Sequence, residues 1–468
     1  MPSVLSLEVP YVDPVSAFAA FAGRPGSVFL DSAQAGERQG RYGFIAADPF
    51  LILTSKDGRI SAGDQTFTGD PFAVVAKLLD RFPLRRTPGL PPFQSGAAGY
   101  LGYDLCHHLE RLPAPERDDM QFPDLALGFY DAIVAFDLLD ERAWIISSGY
   151  PETSPEARLT RRRLRLEEFS RRLERATALD PAAAAAGDVA IRSNFTRADY
   201  EAAVQRVIDY ILAGDIFQAN IAQRFSAELP EDLSPLDLYR RLRARNPAPF
   251  AAYLDFGDVA VASASPERFL KLQDGLVETR PIKGTRPRGA TPGEDAVNAK
   301  VLLASEKDRA ENVMILDLLR NDLSRVCRDH TVLTPEICAL ESFATVHHLV
   351  STVTGELKPD MGPVDLLRAT FPGGSITGAP KIRAMEIISE LEPTRRGPYC
   401  GAIGYIGFDG TMDLNIAIRT YAIKGRTVTF QAGGGIVADS DPDREYQETL
   451  HKAEGIKLAL ESVLKGGA

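Results

Sequence analysis

The spacing of apolar residues divides the chain into a strand-rich first part and a second part in which strands and helices are mixed. Up to about Pro181 the apolar runs are short and are separated by turn residues, a pattern typical of strands. Residues 125–136 and 144–148 are apolar and flank the polar turn 140–142, which predicts a hairpin. Residues 155–176 are strongly charged and predict a helix.

The second part contains long segments with a helical period and pairs of strands joined by tight turns. Thr196 and Asp199 form an N-cap pattern in front of an apolar period that runs to Gly214. Further helices are predicted over residues 305–327, from near Pro380, and over residues 443–464. Strands are predicted over residues 215–225, over 251–272 with a turn near 257–258, and around turns at 409–410 and 424–426. Because strands and helices do not alternate strictly, we predict an α+β fold with antiparallel sheets.

Length and charge limit the possible organisation and partners. The 468 residues suffice for about three domains or one large one. An alanine-rich linker is predicted at residues 181–188, between an N-terminal segment of residues 1–180 and residues 189–468. The net charge of −11 argues against a general nucleic-acid binder. The arginines of residues 155–176 are interleaved with glutamates, which favours a solvated helix face over a nucleic-acid face.

The N-terminus and the cysteines are those of a cytoplasmic protein. Residues 1–20 contain Glu8 and Asp13 but no lysine or arginine, so they do not form a signal peptide. No stretch approaches the roughly 20 apolar residues of a membrane span, and we expect no membrane association. The four cysteines form no CxxC pair and are interpreted as buried free thiols.

Two predicted helices each carry a pair of acidic residues three positions apart. The pairs are Asp308 with Glu311 and Glu445 with Glu448. This spacing places both carboxylates of a pair on one helix face, and Mg²⁺ takes a few carboxylates together with water and substrate oxygens. Two such helices facing one point would form a magnesium site. A solvated charged face is the alternative, and spacing alone favours it.

Glycine-rich segments offer backbone N–H groups to an anion. Residues 371–381 form a loop in front of a helix with Pro380 near its first turn. A helix N-terminus attracts anions, but Gly378 is not followed by the Lys-Ser/Thr of a phosphate-binding P-loop. An anion site and a simple capped turn are equally compatible with the loop. Gly433 to Gly435 give similar access to the backbone.

Residues 281–289 carry the most informative group of side chains. Gly284 allows the backbone to approach a ligand closely. The amine of Lys283 becomes a nucleophile if burial or a neighbouring cation lowers its pKa, although a surface or ion-pair lysine is the commoner case. Across a hairpin, the carboxylic acid of Glu267 would lie near Lys283 and suit proton delivery to a leaving hydroxyl.

Together these segments resemble the chorismate-utilising enzymes. That family includes the anthranilate synthase large component, aminodeoxychorismate synthase component I, and the isochorismate and salicylate synthases. The matching motifs, in order, are residues 214–218, 265–269, 281–288, Glu311, 316–318, 320–322, 348–351, 374–381, 401–405, 431–435 and 448–453. Residues 31–33 and 99–103 extend the resemblance into the N-terminal segment.

The resemblance implies a fold and a metal site. The fold is two packed antiparallel sheets with outer helices, in four layers, in which residues 1–180 complete the sandwich instead of forming a separate lobe. The metal is Mg²⁺, bound by Glu311 and Glu448, with Asp308 and Glu445 in the outer shell through water.

It also implies the positions that bind and convert chorismate. The substrate carboxylates would be held by Tyr399, Arg419, Gly433, Gly435 and Lys452. Gly284 and Thr285 would face the ring, and Ser375 belongs to the substrate-binding loop. The implied catalytic positions are Gln218, Glu267, Lys283 and His348.

Two positions distinguish branches of the family. Isochorismate and salicylate synthases carry a water-activating lysine where this chain has Gln218, which argues against water addition. Anthranilate synthases typically carry alanine where this chain has Lys283, whereas aminodeoxychorismate synthases commonly carry lysine. We therefore expect Lys283 to attack C2 of chorismate while Glu267 protonates the C4 hydroxyl. Ammonia would then add at C4 and yield 4-amino-4-deoxychorismate, the precursor of p-aminobenzoate and folate.

The ammonia is expected from a separate glutaminase subunit or directly from ammonium, because no cysteine here lies in a Gly-x-Cys-x-Gly elbow. Residues 29–33 resemble a tryptophan-binding region of some relatives, which suggests a tryptophan-type site in the N-terminal segment. The alternatives are an anthranilate synthase and a non-catalytic subunit that binds chorismate or tryptophan. Retention of Glu267, Lys283, Glu311 and Glu448 together favours an enzyme.

Overall fold

The computed structural model describes residues 1–36, 38–177, 189–231, 233–343 and 346–461. The predicted linker at residues 181–188, and the end of the last predicted helix at Leu464, lie outside these ranges. Among the helices that the structure describes, none is long and apolar enough to cross a membrane.

The described residues contain ten α-helices and two short 3-10 helices. The α-helices are α1 (Pro14–Ala19), α2 (Pro71–Asp80), α3 (Pro155–Leu173), α4 (Arg197–Leu212), α5 (Pro235–Arg245), α6 (Pro292–Ala304), α7 (Glu306–Ser324), α8 (Pro363–Thr370), α9 (Lys381–Leu391) and α10 (Pro442–Glu461). The 3-10 helices are Tyr103–His108 and Gly374–Ile376.

The same part of the chain forms 24 strands. They are β1 (Leu5–Val9), β2 (Ser27–Asp31), β3 (Tyr42–Ala46), β4 (Leu51–Lys56), β5 (Arg59–Ala62), β6 (Gln65–Thr68), β7 (Gly96–Leu101), β8 (Leu125–Tyr130), β9 (Ala132–Asp137), β10 (Arg142–Ser147), β11 (Arg192–Ser193), β12 (Gln218–Glu228), β13 (Phe250–Asp255), β14 (Val259–Ser265), β15 (Arg268–Gln273), β16 (Leu276–Thr279), β17 (Ile282–Pro287), β18 (Leu333–Ser342), β19 (Val346–Glu356), β20 (Gly378–Ala379), β21 (Ala402–Gly407), β22 (Met412–Ile416), β23 (Thr420–Lys424) and β24 (Thr427–Ile436).

Side-chain caps fix where several helices begin. The hydroxyl of Thr196 accepts the N–H of Asp199 at the start of α4, as the sequence pattern predicts. Ser305 caps α7 in the same way, and Thr291 forms a capping box with Glu294 at α6. Each cap satisfies a backbone donor that the first helical turn leaves unpaired.

The strands form two antiparallel sheets, which confirms the predicted α+β class. The first sheet has the order β1-β10-β9-β3-β2-β13-β14-β23-β24-β12-β11, with β20 paired to β12. The second has the order β17-β19-β16-β15-β22-β21-β7-β8-β4-β5-β6, with β18 paired to β19. Strands from before and after residue 180 therefore lie side by side in both sheets.

Three apolar clusters define four layers. Phe44 and Ile133 of the first sheet pack against Tyr405 of the second in the cluster between the sheets. The outer face of the first sheet packs on α1, α3, α5 and α10. The outer face of the second packs on α2, α7 and α8. Burial of apolar surface on both faces of each sheet is the main source of stability for such an arrangement.

Two predicted strand pairs are divided between the sheets. The segment 125–136 is not one strand: β8 belongs to the second sheet, and β9 to the first. Asp131, between them, is buried and its Oδ2 lies 2.7 Å from Nε of Arg161. Both strands are buried on both faces, so their apolar run is continuous and hides the crossing. The pairing of β9 with β10 is as predicted.

The segment 251–272 is divided in the same way. β13 and β14 form the predicted hairpin, but Leu272 lies in β15 of the other sheet. Two further boundaries differ from the prediction: the strand expected over 215–225 is Gln218–Glu228, and the helix expected over 305–327 is Glu306–Ser324.

Two neighbouring strands cross together from one sheet to the other. β14 pairs with β23 in the first sheet, and their continuations β15 and β22 pair in the second. At the crossing, Ala264 N donates to Arg419 O at 3.0 Å, and Ile416 N donates to Glu267 O at 3.0 Å. The crossing therefore places Glu267 and Arg419 on adjacent chain segments.

The arginines of α3 are only in part a solvated face. Arg165 is buried, and its Nε lies 3.3 Å from Oδ1 of Asp131. Arg161 pairs with the same carboxylate, and Arg172 pairs with Asp48 at 2.5 Å. These arginines attach α3 to the first sheet, an outcome that the charge pattern did not indicate.

A buried carboxyl in the first 3-10 helix makes stability depend on pH. Asp104 accepts the N–H of Gly397 at 2.8 Å, and burial, reinforced by the Asp124 charge, raises its pKa to about 7. A carboxyl whose pKa is raised on folding contributes stability below its unfolded pKa and loses that contribution as the pH rises through the folded value.

We therefore expect Asp104→Asn, which keeps an acceptor for Gly397 and has no charge, to be more stable than the wild type at pH 8. The expected gain in the free energy of unfolding is on the order of 1–4 kcal/mol, and it should shrink towards pH 4. Urea unfolding at both pH values measures it, with the exposed Asp64→Asn as control. Equal stabilities at pH 8 would contradict the assignment.

Candidate active site

Glu267 lies at the point where β14 leaves the first sheet for β15 of the second. Its side chain is buried, receives hydrogen bonds from Ser375 and from the backbone of Ile282, and lies near the cations of Lys283 and Arg419. Burial outweighs these contacts and raises the pKa of Glu267 to about 7. A carboxyl with this pKa is an effective proton donor near neutral pH.

Lys283 lies on β17 at a break in the pairing with β19. The register shifts between Ile282 and Thr285, and Gly284 has φ of +84°. A Cβ at position 284 would lie 2.9 Å from Cβ of Asp308, so glycine is required for both conformation and space. Burial lowers the pKa of Lys283, while the carboxylate of Glu311 acts in the opposite direction. A lowered pKa provides the unprotonated amine that nucleophilic attack needs.

His348 is a neutral, buried side chain next to Thr285. The two residues are directly opposed in the β17–β19 pair, and Thr285 Oγ1 lies 2.8 Å from His348 Nδ1. Burial, together with the positive charge of Arg419, lowers the pKa of His348 to about 3. The imidazole therefore offers hydrogen bonds but no positive charge.

Arg419 is a partly buried cation at the other side of the sheet crossing. Its backbone has φ of +50°, an uncommon conformation for a non-glycine residue. Its guanidinium forms no hydrogen bond or ion pair that the structure records with the described residues, and burial lowers its pKa while Glu267 raises it. A partly buried guanidinium without a protein partner is suited to an anionic ligand.

The remaining predicted carboxylate-binding residues lie along β24 and around it. Gly433 O accepts a hydrogen bond from Lys452 Nζ at 3.0 Å. A Cβ at position 435 would lie 1.8 Å from Nε2 of Gln218, so Gly435 makes room for that amide. Tyr399 is buried near Arg396, and burial raises its pKa well above the usual range.

Two of the predicted metal ligands, Glu445 and Glu448 of α10, lie beside β24. A Cβ at position 434 would lie 3.1 Å from Oε2 of Glu445 and 3.7 Å from Oε1 of Glu448. Burial raises the pKa of Glu311 and of Glu445, and in each case nearby lysines act against it. Although burial opposes it, the ion pair with Lys452, at 2.7 Å, holds the pKa of Glu448 below its usual value.

The chemistry of this cluster fits Mg²⁺, because every acidic donor is a hard carboxylate oxygen. No group of three or more acidic, histidine or cysteine side chains converges on one point within the described ranges. A magnesium ion held here would therefore take several ligands from water or substrate, as is usual for Mg²⁺. Asp308 lies near Arg286, whose Nη2 is 3.5 Å from Oδ2 of Asp308. Of the four predicted metal ligands, Asp308 is therefore the least available to a metal ion.

The sequence interpretation did not single out two polar residues of this region. Lys307 is exposed at the start of α7 and lies near the carboxylates of Glu311, Glu445 and Glu448. Asn220 lies on β12 two positions after Gln218, and its Oδ1 is buried without a hydrogen-bond partner among the described residues. Its place on the same strand face as Gln218 is the signal that would have identified it.

A cavity lies apart from the predicted site residues. Its volume is about 270 Å³, and its lining includes Asp31, Ser32, Tyr42 and Arg268 but none of the predicted site residues. It therefore contains part of the segment 29–33 that suggested a tryptophan-type site.

Comparisons with known proteins show the family and the fold. The model of the chorismate binding enzyme family matches residues 27–457. Anthranilate synthase component 1 of Pseudomonas aeruginosa is 42% identical over 459 residues, covering 96% of this chain and 92% of the relative. Aminodeoxychorismate synthase component 1 of Escherichia coli is 41% identical over 449 residues, covering 95% of each. The crystal structure of anthranilate synthase component I from Streptococcus pneumoniae superposes with a TM-score of 0.79 at 35% identity, covering 89% of this chain and 92% of that one.

The chain belongs to the chorismate binding enzymes. It is a chorismate-utilising enzyme, and its relatives divide between aminodeoxychorismate synthases and anthranilate synthases at similar identity. The predicted family and the predicted fold are therefore confirmed.

The pKa of His348 gives a test of the site that is independent of turnover. With a pKa of about 3, its imidazole stays neutral between pH 5 and pH 9, and its ring resonances should not titrate in a histidine-labelled NMR sample. The signal is identified by its loss in His348→Gln. A resonance assigned in this way that titrates between pH 6 and pH 7 would show that the ring is hydrated.

Proposed function

We propose that this chain is an aminodeoxychorismate synthase, which converts chorismate and ammonia to 4-amino-4-deoxychorismate. The observation that carries the proposal is the placement of the Lys283 amine, with its lowered pKa, close to the protonatable carboxyl of Glu267. Burial shifts both groups towards their neutral forms: it raises the pKa of Glu267 to about 7 and lowers the pKa of Lys283. Covalent catalysis replaces one difficult substitution by two easier steps.

In the first step, the lone pair of Lys283 Nζ forms a bond to C2 of chorismate. The two conjugated ring double bonds shift, the C4–O bond breaks, and Glu267 gives its proton to the departing hydroxyl, which leaves as water. In the second step, ammonia forms a bond to C4, both double bonds shift back, and the bond from C2 to Lys283 breaks. Without an amine at position 283, ammonia itself would attack C2, which is the anthranilate route.

The anionic substrate is held by groups of the opposite charge. Arg419 has no partner that the structure records among the described residues and is suited to one carboxylate, together with the backbone of Gly433 and Gly435. Lys452 and Tyr399 complete the proposed carboxylate contacts. Glu311 and Glu448 would hold Mg²⁺, with Asp308 and Glu445 in its outer shell. When bound, the ion supplies positive charge for the ring carboxylate of chorismate.

The proposal includes a separate glutaminase subunit as the source of ammonia. All four cysteines are buried, and burial raises the pKa of Cys106, Cys327 and Cys400. A thiol nucleophile needs the opposite shift. The relatives named component 1 support this division of labour. The cavity lined by Asp31 and Ser32 supports a bound tryptophan or a similar small molecule in the N-terminal segment, which calorimetric titration with tryptophan tests.

The decisive experiment is the identity of the product. The purified chain is incubated with chorismate, Mg²⁺ and ammonium, with and without an aminodeoxychorismate lyase, and analysed by mass and fluorescence. p-Aminobenzoate that appears only with the lyase supports the proposal. Anthranilate without the lyase would identify an anthranilate synthase, and no turnover with retained chorismate binding would indicate a regulatory subunit.

Lys283→Ala tests the covalent role. We expect it to lose C4 amination by about 100-fold or more, because it removes a catalytic group and leaves the fold intact. The control is Lys300→Ala, which removes an exposed lysine from the neighbouring helix α6. Amination at the wild-type rate by Lys283→Ala would exclude the covalent step and leave the family assignment in place.

Glu311→Gln and Glu448→Gln test the metal site. Each removes one charged oxygen ligand, so we expect the dissociation constant for Mg²⁺ to rise at least about tenfold, as for the loss of a charged contact of about 1.4 kcal/mol or more. Isothermal titration, or Mn²⁺ as a paramagnetic substitute, measures it without turnover. Glu454→Gln, an exposed position on α10, is the control. If all three variants bind the metal equally, the site lies elsewhere.

A further inference from the structure

Two amide side chains of β12 face the active site. Successive residues of a strand point to opposite faces. Ala219 and Ile221 pack into the cluster formed by α4 and α9, so Gln218 and Asn220 point the other way. Ala222, which shares their face, packs in the cluster that contains Tyr399.

The two amides are neighbours in space. Asn220 lies directly opposite Gly435 in the β12–β24 pair. A Cβ at position 435 would lie 1.8 Å from Nε2 of Gln218, so the Gln218 amide covers Gly435. Opposed positions of an antiparallel pair have Cβ atoms about 4.5–5.5 Å apart, and the Gln218 amide therefore lies beside the Asn220 side chain.

Three of their polar atoms have no hydrogen-bond partner in the part of the chain that the structure describes. Gln218 is 2% exposed, and its Oε1 and Nε2 and the Oδ1 of Asn220 are buried with no hydrogen bond to any residue in the described ranges. Leaving a buried polar group unpaired costs about 1–3 kcal/mol, and nearly all such groups in native proteins are paired. Three of them side by side indicate a site built for a small polar ligand.

The loop of residues 375–377 contacts both the strand that carries this amide pair and the proposed acid, Glu267. Asn220 N donates to Thr377 O at 2.7 Å. Ser375, two residues earlier, hydrogen-bonds the carboxylate of Glu267. The amide pair is thus tied through three loop residues to the group that would protonate the C4 hydroxyl.

We propose that the side chains of Gln218 and Asn220 form the binding site for the ammonia that attacks chorismate. This proposal rests on the proposed function and adds Asn220 as an ammonia-binding residue. Amide oxygens accept the N–H groups of ammonia and leave its lone pair free. Because they are uncharged, they do not favour ammonium, which has no lone pair to donate. A carboxylate in the same place would favour ammonium.

The step balances with groups already in the site. The ammonia nitrogen forms a bond to C4, the two conjugated ring double bonds shift back, and the bond between C2 and Lys283 Nζ breaks. The proton that the new C4 nitrogen must lose passes to the Glu267 carboxylate, which gave up its own proton to the hydroxyl. Glu267 is then protonated for the next cycle.

Steady-state kinetics with ammonium as the nitrogen source test the site. For Asn220→Ala we expect the KM for ammonium to rise by about 3- to 10-fold, the loss of one hydrogen bond of about 1 kcal/mol, with an unchanged KM for chorismate. The matched control is Gln223→Ala. It removes another buried amide of β12, but one paired with Ser193 and Thr449, so it should affect stability and leave the KM for ammonium unchanged.

Asn220→Asp separates binding from a structural role, because it keeps the shape of the side chain. Its carboxylate would hold ammonium, so we expect the KM for total ammonium not to rise while kcat falls by about tenfold or more. A merely structural role for Asn220 would change both variants in the same direction. Circular dichroism of each variant verifies folding, and if Asn220→Ala does not fold, the Asn220→Asp result decides alone.

The outcomes distinguish this proposal from the proposed function. An unchanged KM for ammonium in Asn220→Ala, or an equal rise in the KM for chorismate, would overturn the ammonia site. If the wild type makes anthranilate, the C4 assignment is wrong, but the KM for ammonium still tests the amide pair. If the wild-type chain forms no ammonium-dependent product, both proposals fail.

Discussion

The strand pair that crosses from one sheet to the other is the constraint on which the active site depends. At the crossing, backbone groups leave one ladder before they join the next, and they must be paired locally. Ala264 pairs with Arg419, Ile416 pairs with Glu267, and Ser265 Oγ donates to Ile416 O at 2.6 Å. These bonds fix the crossing, so Glu267 and Arg419 face the site from neighbouring segments, and neither forms an ion pair that the structure records among the described residues.

Loss of hydration then determines the chemistry of the side chains. Burial raises the pKa of an acid and lowers that of a base, and here it acts on Glu267, Lys283 and His348 in those directions. If Glu267 and Lys283 were solvated, a glutamate and a lysine lying near one another would form an ion pair, in which the acid has lost its proton and the amine has gained one. Neither would then be competent for its proposed role. Burial instead shifts the pKa of Glu267 upwards and that of Lys283 downwards, in the directions that their proposed roles need.

The sequence predicted those features of the fold that depend on local pattern. The cap at Thr196 and the hairpin of β13 and β14 are local, and both are correct. The crossings at Asp131 and Glu267 were missed, because a strand buried on both faces has the same apolar run whichever sheet it joins. The arginines of α3 were missed for a related reason. Charge spacing shows which side chains share a helix face but not which buried carboxylate lies opposite.

The site residues likewise divide into those that a sequence motif identifies and those that only the tertiary structure identifies. Ordered motifs identified the family, and the structure places Glu445, Glu448 and Lys452 beside Gly434, while the binding of Mg²⁺ by Glu311 and Glu448 stays a prediction. The sequence shows that Asn220 shares a strand face with Gln218, but the lack of a partner for its Oδ1 among the described residues becomes visible only once β12 is paired with β24.

The position of the amides also follows from charge. The wall made by α7 and α10 carries carboxylates and lysines, which suits a metal ion and an anionic substrate but would hold ammonia as ammonium. A nucleophile that must keep its lone pair needs acceptors without net charge. In the proposed site these acceptors are the amides of β12, and Gly435 leaves room for that of Gln218.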